Sequence, residues 1–172
     1  MARSALASRP LGRQPVNHAE YVPAASVVVA SALALLPIVS ASGWWPNTGL
    51  MILIAWRMLR ADAWPAWWAA PMGFVNDLLT GTPLGLSVTL WTAIMLVMDM
   101  VDRRTQWRGY AIEWSVACLL IAFGGWVEWQ VAAFNGASVP FAQVAPAAIV
   151  EMLAFPLAAL IVLRIDRWRL GR

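Results

Sequence analysis

Residues 73–87 read G-F-V-N-D-L-L-T-G-T-P-L-G-L-S, with an apolar segment on either side. Nearly all the unusual local chemistry of the chain sits here: an amide beside a carboxylate at Asn76 and Asp77, then the turn Gly81-Thr82-Pro83. Glycine ends helices because it takes the left-handed backbone of the C′ position without steric cost. Threonine caps a helix start, and proline suits a first turn that has no use for its missing N–H. Gly81 therefore predicts the end of one helix, Thr82 the N-cap and Pro83 the first residue of the next. The chain is expected to reverse here between two membrane-spanning helices, with Asn76 and Asp77 close to the reversal and near one membrane face.

Composition extends the reading from this hairpin to the whole chain. The 172 residues are 61% hydrophobic and 12% charged, include 12 Trp, and have a mean hydropathy of +0.66. Apolar runs of membrane length follow one another with short breaks, the pattern of an all-α polytopic membrane protein. The ten-residue alternation of a transmembrane barrel is absent from the sequence. Residues 1–20 read as a polar tail, and residues 21–163 as a six-helix transmembrane domain with spans near 21–42, 46–59, 64–80, 83–101, 110–134 and 139–163. Residues 164–172 read as a basic tail. The first run is too long for a signal-peptide core and is read as a retained span. The second is short, about 20 Å at 1.5 Å per residue, so it must thin the bilayer or be shielded by neighbours. Pro37 is expected to bend the first span, and Pro71 to kink the third just before Asn76. The uncharged turn 43–48 and residues 64–68 carry tryptophans where a headgroup-level belt places them.

Charge placement fixes the expected orientation. All twelve basic residues are arginine, in four clusters: Arg3, Arg9 and Arg13; Arg57 and Arg60; Arg103, Arg104 and Arg108; Arg164, Arg167, Arg169 and Arg172. With six spans, every one falls on the side of the two termini, and the loops near 43–48, 80–83 and 135–138 carry none. Positively charged loops stay in the cytoplasm, so both termini are expected there, in a bacterial inner membrane. This is a topological pattern, not a nucleic-acid surface.

Four acids stand apart from an obvious charge cluster, and ionisable groups in a bilayer are functional candidates by default. Glu113 is expected to pair with the nearby arginines 103, 104 and 108, and Asp99 with Arg103 at i,i+4. Glu128 lies between Trp126 and Trp129 near the outer end of span five, and Glu151 is the deepest acid, in span six; together they are candidates for a polar cavity. Asp77 has no arginine on its side. It must be hydrated, neutral, bonded locally to Asn76, Thr80 or Thr82, or paired with a basic group of another molecule. In the last case Asp77→Ala weakens partner binding while insertion stays intact.

No catalytic set is visible. The one histidine, His18, is in the tail, Ser87 and Ser115 have no neighbouring base, and a Gly-x-Ser-x-Gly elbow is missing. Asp77 and Asp99 are expected at opposite faces, which does not suit an intramembrane aspartyl protease. There is no phosphate-binding glycine loop, no Cys/His metal set, and the single Cys118 excludes an internal disulfide. The expectation is a protein without enzymatic activity, cofactor or metal.

The motif G-x-x-x-D-L-L-x-G-x-P-L-G-L, carried by Gly73, Asp77, Leu78, Leu79, Gly81, Pro83, Leu84, Gly85 and Leu86, resembles the rod shape-determining protein MreD family. Pro46 ahead of a span containing Trp56 fits the same family. The resemblance implies a six-helix bundle similar to the substrate-binding subunits of energy-coupling-factor transporters. It also implies a role in bacterial cell elongation: binding of the bitopic protein MreC and, through it, association with MreB, RodA and a class B penicillin-binding transpeptidase in sidewall peptidoglycan synthesis. Gly73, Asn76, Asp77, Gly81, Pro83 and Gly85 would then be a hairpin or partner-binding motif. The kinship with transport subunits sets up a different reading, a membrane subunit that binds a small molecule or lipid, with Asp77, Glu128, Asn135 and Glu151 as its lining.

Overall fold

The computed structural model describes residues 21–36, 46–61, 64–104, 109–137 and 140–170. Among them are six α-helices and no strand: α1 (Val22–Ala32), α2 (Thr48–Leu59), α3 (Ala69–Thr80), α4 (Leu86–Arg104), α5 (Tyr110–Phe134) and α6 (Phe141–Arg169). Short 3-10 segments continue α1 over Leu33–Leu35 and lead into α3 over Ala66–Trp68. Helices α5 and α6 are long and apolar enough to cross a membrane, while α1 with its extension, α2 and most of α4 are shorter apolar helices.

Several boundaries differ from the sequence expectation for local reasons. The first helix stops early: Leu36 is extended at φ −66°, ψ 133°, because the ring of Pro37 disfavours helical backbone in the residue before it. The expected bend at Pro37 lies outside the described residues, as do most of the tryptophan turn at 43–45 and the tail 1–20. Pro71 does not break the third helix, since it falls in the first turn of α3, where no amide donor is required. Helix α4 begins at Leu86, not at Pro83; Pro83 belongs to a turn closed by Leu86 N–H donating to Pro83 O at 3.0 Å. Helix α5 matches its expected range. Helix α6 continues past residue 163 through three of the tail arginines to Arg169.

The architecture is arranged around α2. Every residue from Gly49 to Arg57 is buried, with Leu50, Leu53, Ile54 and Trp56 at 1% exposure or less. Neighbours shield this short helix: α1 and α6 lie along it, and α4 and α5 also touch it. Side-chain bonds lock it to α1, from Thr48 Oγ1 to Ala30 O at 2.6 Å and from Trp56 Nε1 to Ser26 Oγ at 2.7 Å. The largest helix-to-helix contact is the α3–α4 hairpin. It closes at Gly73, where a Cβ would lie 2.6 Å from Ser87 O and 2.7 Å from Ser87 C. Small residues let helix backbones approach this closely.

The two ends of α2 are chemically opposite. At its C-terminal end Arg57 pairs with Asp99 of α4, and Arg60 with Asp166 of α6 at 2.9 Å. Arg169 also reaches Asp166 at 2.8 Å, with its guanidinium 5.4 Å from the Trp56 ring centroid. Asp99 serves Arg57, a guanidinium only 5% exposed, for which a nearby carboxylate offsets the loss of hydration; its expected i,i+4 partner, Arg103, has a side chain outside the described residues.

Gly73→Val should lower the apparent melting midpoint of the detergent-solubilised protein, at a cost of about 1–3 kcal/mol, because the obstacle is backbone that cannot step aside. Gly73→Ala should fall between it and the native chain. A valine variant that melts with the native protein would show that α3 and α4 do not approach here.

Candidate functional site

The sequence motif folds into one closed hairpin with Asp77 at its centre. Helix α3 ends where Gly81, at φ +70°, donates its N–H to Asp77 O at 3.0 Å. Gly85, at φ +98°, turns the chain into α4. Between them the Asp77 carboxylate, 1% exposed, accepts from Thr82 Oγ1 at 2.9 Å, Gly85 N at 2.8 Å and Ser87 N at 2.9 Å. The first amides of a helix have no partner of their own and carry partial positive charge. Asp77 therefore caps α4 from the neighbouring helix, the role that the spacing assigned to Thr82. Thr82 instead helps hold the carboxylate, and Thr80 Oγ1 donates back to Asn76 O at 2.8 Å.

Asn76 points the other way, toward the centre of the molecule. Its Nδ2 donates to Ser87 Oγ at 3.0 Å, while its Oδ1, fully buried, has no partner among the described residues. Ser31 Oγ of α1 is in the same condition. Both lie against Gly49: a Cβ there would overlap Ser31 Oγ and come within 3.1 Å of Asn76 Oδ1. Four helices thus meet at the first turn of α2, since the Trp91 ring of α4 closes the same spot.

Glu128 and Glu151 are brought together, but by a residue that the sequence reading passed over. Asn47 is the N-cap of α2, its Oδ1 accepting from Leu50 N at 3.1 Å. Its Nδ2 donates to Glu128 Oε1 at 3.0 Å, and its backbone N–H donates to Glu151 Oε1. One asparagine therefore ties α2 to α5 and α6. The signal was present in the sequence, an Asn one residue before Thr48 and a helical run, but it sat in a turn read as uncharged punctuation. Because Glu151 lies ten residues into α6, α2 begins about 15 Å along that helix, next to its middle and not its end.

Among the described residues, this arrangement satisfies the three carboxyl groups without a cation. Asp77 receives the start of α4, and Glu151 the start of α2, while Glu128 holds an amide of Asn47. Of the locally bonded, hydrated, neutral or externally paired alternatives for Asp77, the geometry is the locally bonded one. Asn135 only caps the end of α5, donating to Val131 O at 2.9 Å, and does not join the carboxylates. The expected arginine partners of Glu113 include no described side chain, and Glu113 itself lies at the far end of α5 from Glu128.

Asp77→Ala should first cost stability, about 3 kcal/mol, because the buried Ser87 amide and the half-buried Gly85 amide lose their acceptor; Asp77→Asn, which keeps one oxygen, should cost less. Asn47→Ala should cost more than the roughly 1 kcal/mol of an N-cap. In a double-mutant cycle with Glu128→Ala the two losses should be less than additive. Melting midpoints of the four purified proteins check this, and strict additivity would remove the Asn47–Glu128 bond from the account. In comparisons with protein-family models, curated proteins and solved structures nothing matches the chain, so the functional reading stands on this hairpin and its motif.

Proposed function

We propose that the chain is a six-span protein of the bacterial inner membrane with both termini in the cytoplasm, acting as a non-enzymatic scaffold of the cell-elongation machinery through binding of an MreC-type bitopic protein. The observation that carries the reading is the hairpin. The residues that bring the MreD family to mind, Gly73, Asp77, Gly81 and Gly85, each have a distinct task in one turn: close approach, trans-capping, helix end and helix start. A match by composition alone would scatter them. The geometry around Asp77 moves its role from direct contact to shaping the surface that a partner meets.

The orientation is supported by the two chemical ends. Arg57, Arg60, Arg164, Arg167 and Arg169 belong to one end, and the hairpin 81–85 and the turn 135–137 to the other, where no described residue is basic. By the positive-inside rule the arginine end faces the cytoplasm. Association with MreB, RodA and a class B transpeptidase then follows through the partner.

Two measurements test this. With Cys118→Ala as background, Thr82→Cys and Asn135→Cys should react with a membrane-impermeant maleimide in intact spheroplasts, while Arg164→Cys should react only after permeabilisation. A mild-detergent pull-down of the tagged protein should recover the MreC-type protein and the transpeptidase, and depletion should widen or round the cells. Recovery of ATPase subunits in their place would make the chain a subunit of a transporter and overturn the scaffold.

A further inference from the structure

Ser26, Thr80, Thr89, Thr92 and Ser115 each donate to a carbonyl three or four residues earlier in the chain. That is the local bond a helix offers to a hydroxyl side chain. Ser31, near the end of α1 and only 2% exposed, makes no such bond, and its Oγ has no partner among the described residues. Asn76 of α3, 1% exposed, is in the same condition at Oδ1. An unpaired polar atom in an apolar interior costs free energy comparable to a lost hydrogen bond, so two such atoms together call for a partner.

Both atoms face one point. A Cβ added to Gly49, in the first turn of α2, would overlap Ser31 Oγ and lie 3.1 Å from Asn76 Oδ1. Polar atoms that both touch one point are within the roughly 5–6 Å that a molecule hydrogen-bonded to each can span. Bonds on either flank keep the two from shifting to meet. Thr48 Oγ1 donates to Ala30 O at 2.6 Å and fixes α1 beside α2. Asn76 Nδ2 donates to Ser87 Oγ at 3.0 Å, and Gly73 seats α3 against the backbone of Ser87.

The chemistry of the two atoms selects the occupant. Asn76 Oδ1 accepts and cannot donate, whereas a hydroxyl does either. The molecule that joins them must therefore give a proton to the amide oxygen, which a simple anion cannot do. A metal cation would stand at the start of α2, the positive end of that helix. The Gly49 backbone and the Trp91 ring, 2.9 Å from the same point, limit the occupant to a small molecule. Water is small, neutral and able to donate twice and accept twice.

We propose that one water molecule is a fixed part of the junction of α1, α2, α3 and α4, donating to Asn76 Oδ1 and bonded to Ser31 Oγ. It ties the hairpin, through Asn76, to the first helix of the chain. The site does not depend on the identity of the protein partner.

A crystal structure of the full-length chain in a lipidic mesophase, at a resolution that shows ordered water, tests this directly. One peak should lie within about 3.2 Å of both Asn76 Oδ1 and Ser31 Oγ. Direct contact between the two side chains, Ser31 Oγ turned back to the Val27 carbonyl, or no peak at that place overturns the proposal. So does a peak ringed by six or more oxygens at about 2.4 Å, which is a cation. In detergent, Ser31→Ala should lower the folded-to-unfolded ratio about fivefold, the loss of one net hydrogen bond, read as a fall in the melting midpoint. Asn76→Leu removes the other partner, and the two losses combined should be smaller than their sum. Strict additivity overturns the proposal, and so does a Ser31→Ala protein that melts with the native chain, a result that needs no Asn76 variant to fold.

Discussion

The structure depends on making a twelve-residue helix tolerable in the middle of an apolar protein. Helix α2 is too short to cross a bilayer and too apolar to leave it. A helix end placed inside a low-dielectric interior exposes amides that nothing solvates, and each costs free energy comparable to a lost hydrogen bond. The chain meets this by surrounding α2 on every side and by giving each end a dedicated chemistry. Asn47, Glu151 and Thr48 serve the start; Arg57 and Arg60, with Asp99 and Asp166, serve the finish. The long helices α5 and α6 then turn most of their surface outward, with Leu119, Phe123, Leu153 and Leu157 exposed as lipid-facing residues would be.

The same principle recurs at the hairpin. Among the described residues, the acids at this end of the molecule have no arginine to pair with, and helix starts take that place. The positive end of α4 receives Asp77 and that of α2 receives Glu151. Two buried acids are thereby accommodated at an end of the molecule where no described residue is basic. What pairs charges at the arginine end is side chain against side chain; what does so here is side chain against backbone.

Much of the fold was legible because it rests on long apolar periods and on breakers. Six helical segments, the glycine-terminated hairpin and the whole of α5 follow from these. The misplaced boundaries came from residues whose effect depends on position within a turn. Pro71 reads as a kink until it is seen in a first turn, and Pro83 reads as a helix start until Gly85 supplies a second reversal. The candidate site was half legible. Asp77, Glu128 and Glu151 stand out as acids in apolar surroundings, yet what joins the last two is one uncharged residue 81 and 104 positions away in the chain, and no local pattern announces such a contact. Asp99 shows the same limit: its partner Arg57 lies 42 residues away, where no local pattern points.

The separation of those partners has a consequence for how the protein is made. Asn47 meets Glu151, and Arg60 meets Asp166, across 104 and 106 residues. Each end of the central helix therefore gains a first partner from an earlier segment, Ala30 and Glu128 for the start and Asp99 for the finish, and a second only when α6 has been made. The innermost helix is thus translated well ahead of the helix that completes both of its ends. A nascent chain halted before residue 151 has Asp99 for Arg57 and Glu128 for Asn47, but leaves Arg60 without Asp166 and the Asn47 amide without Glu151.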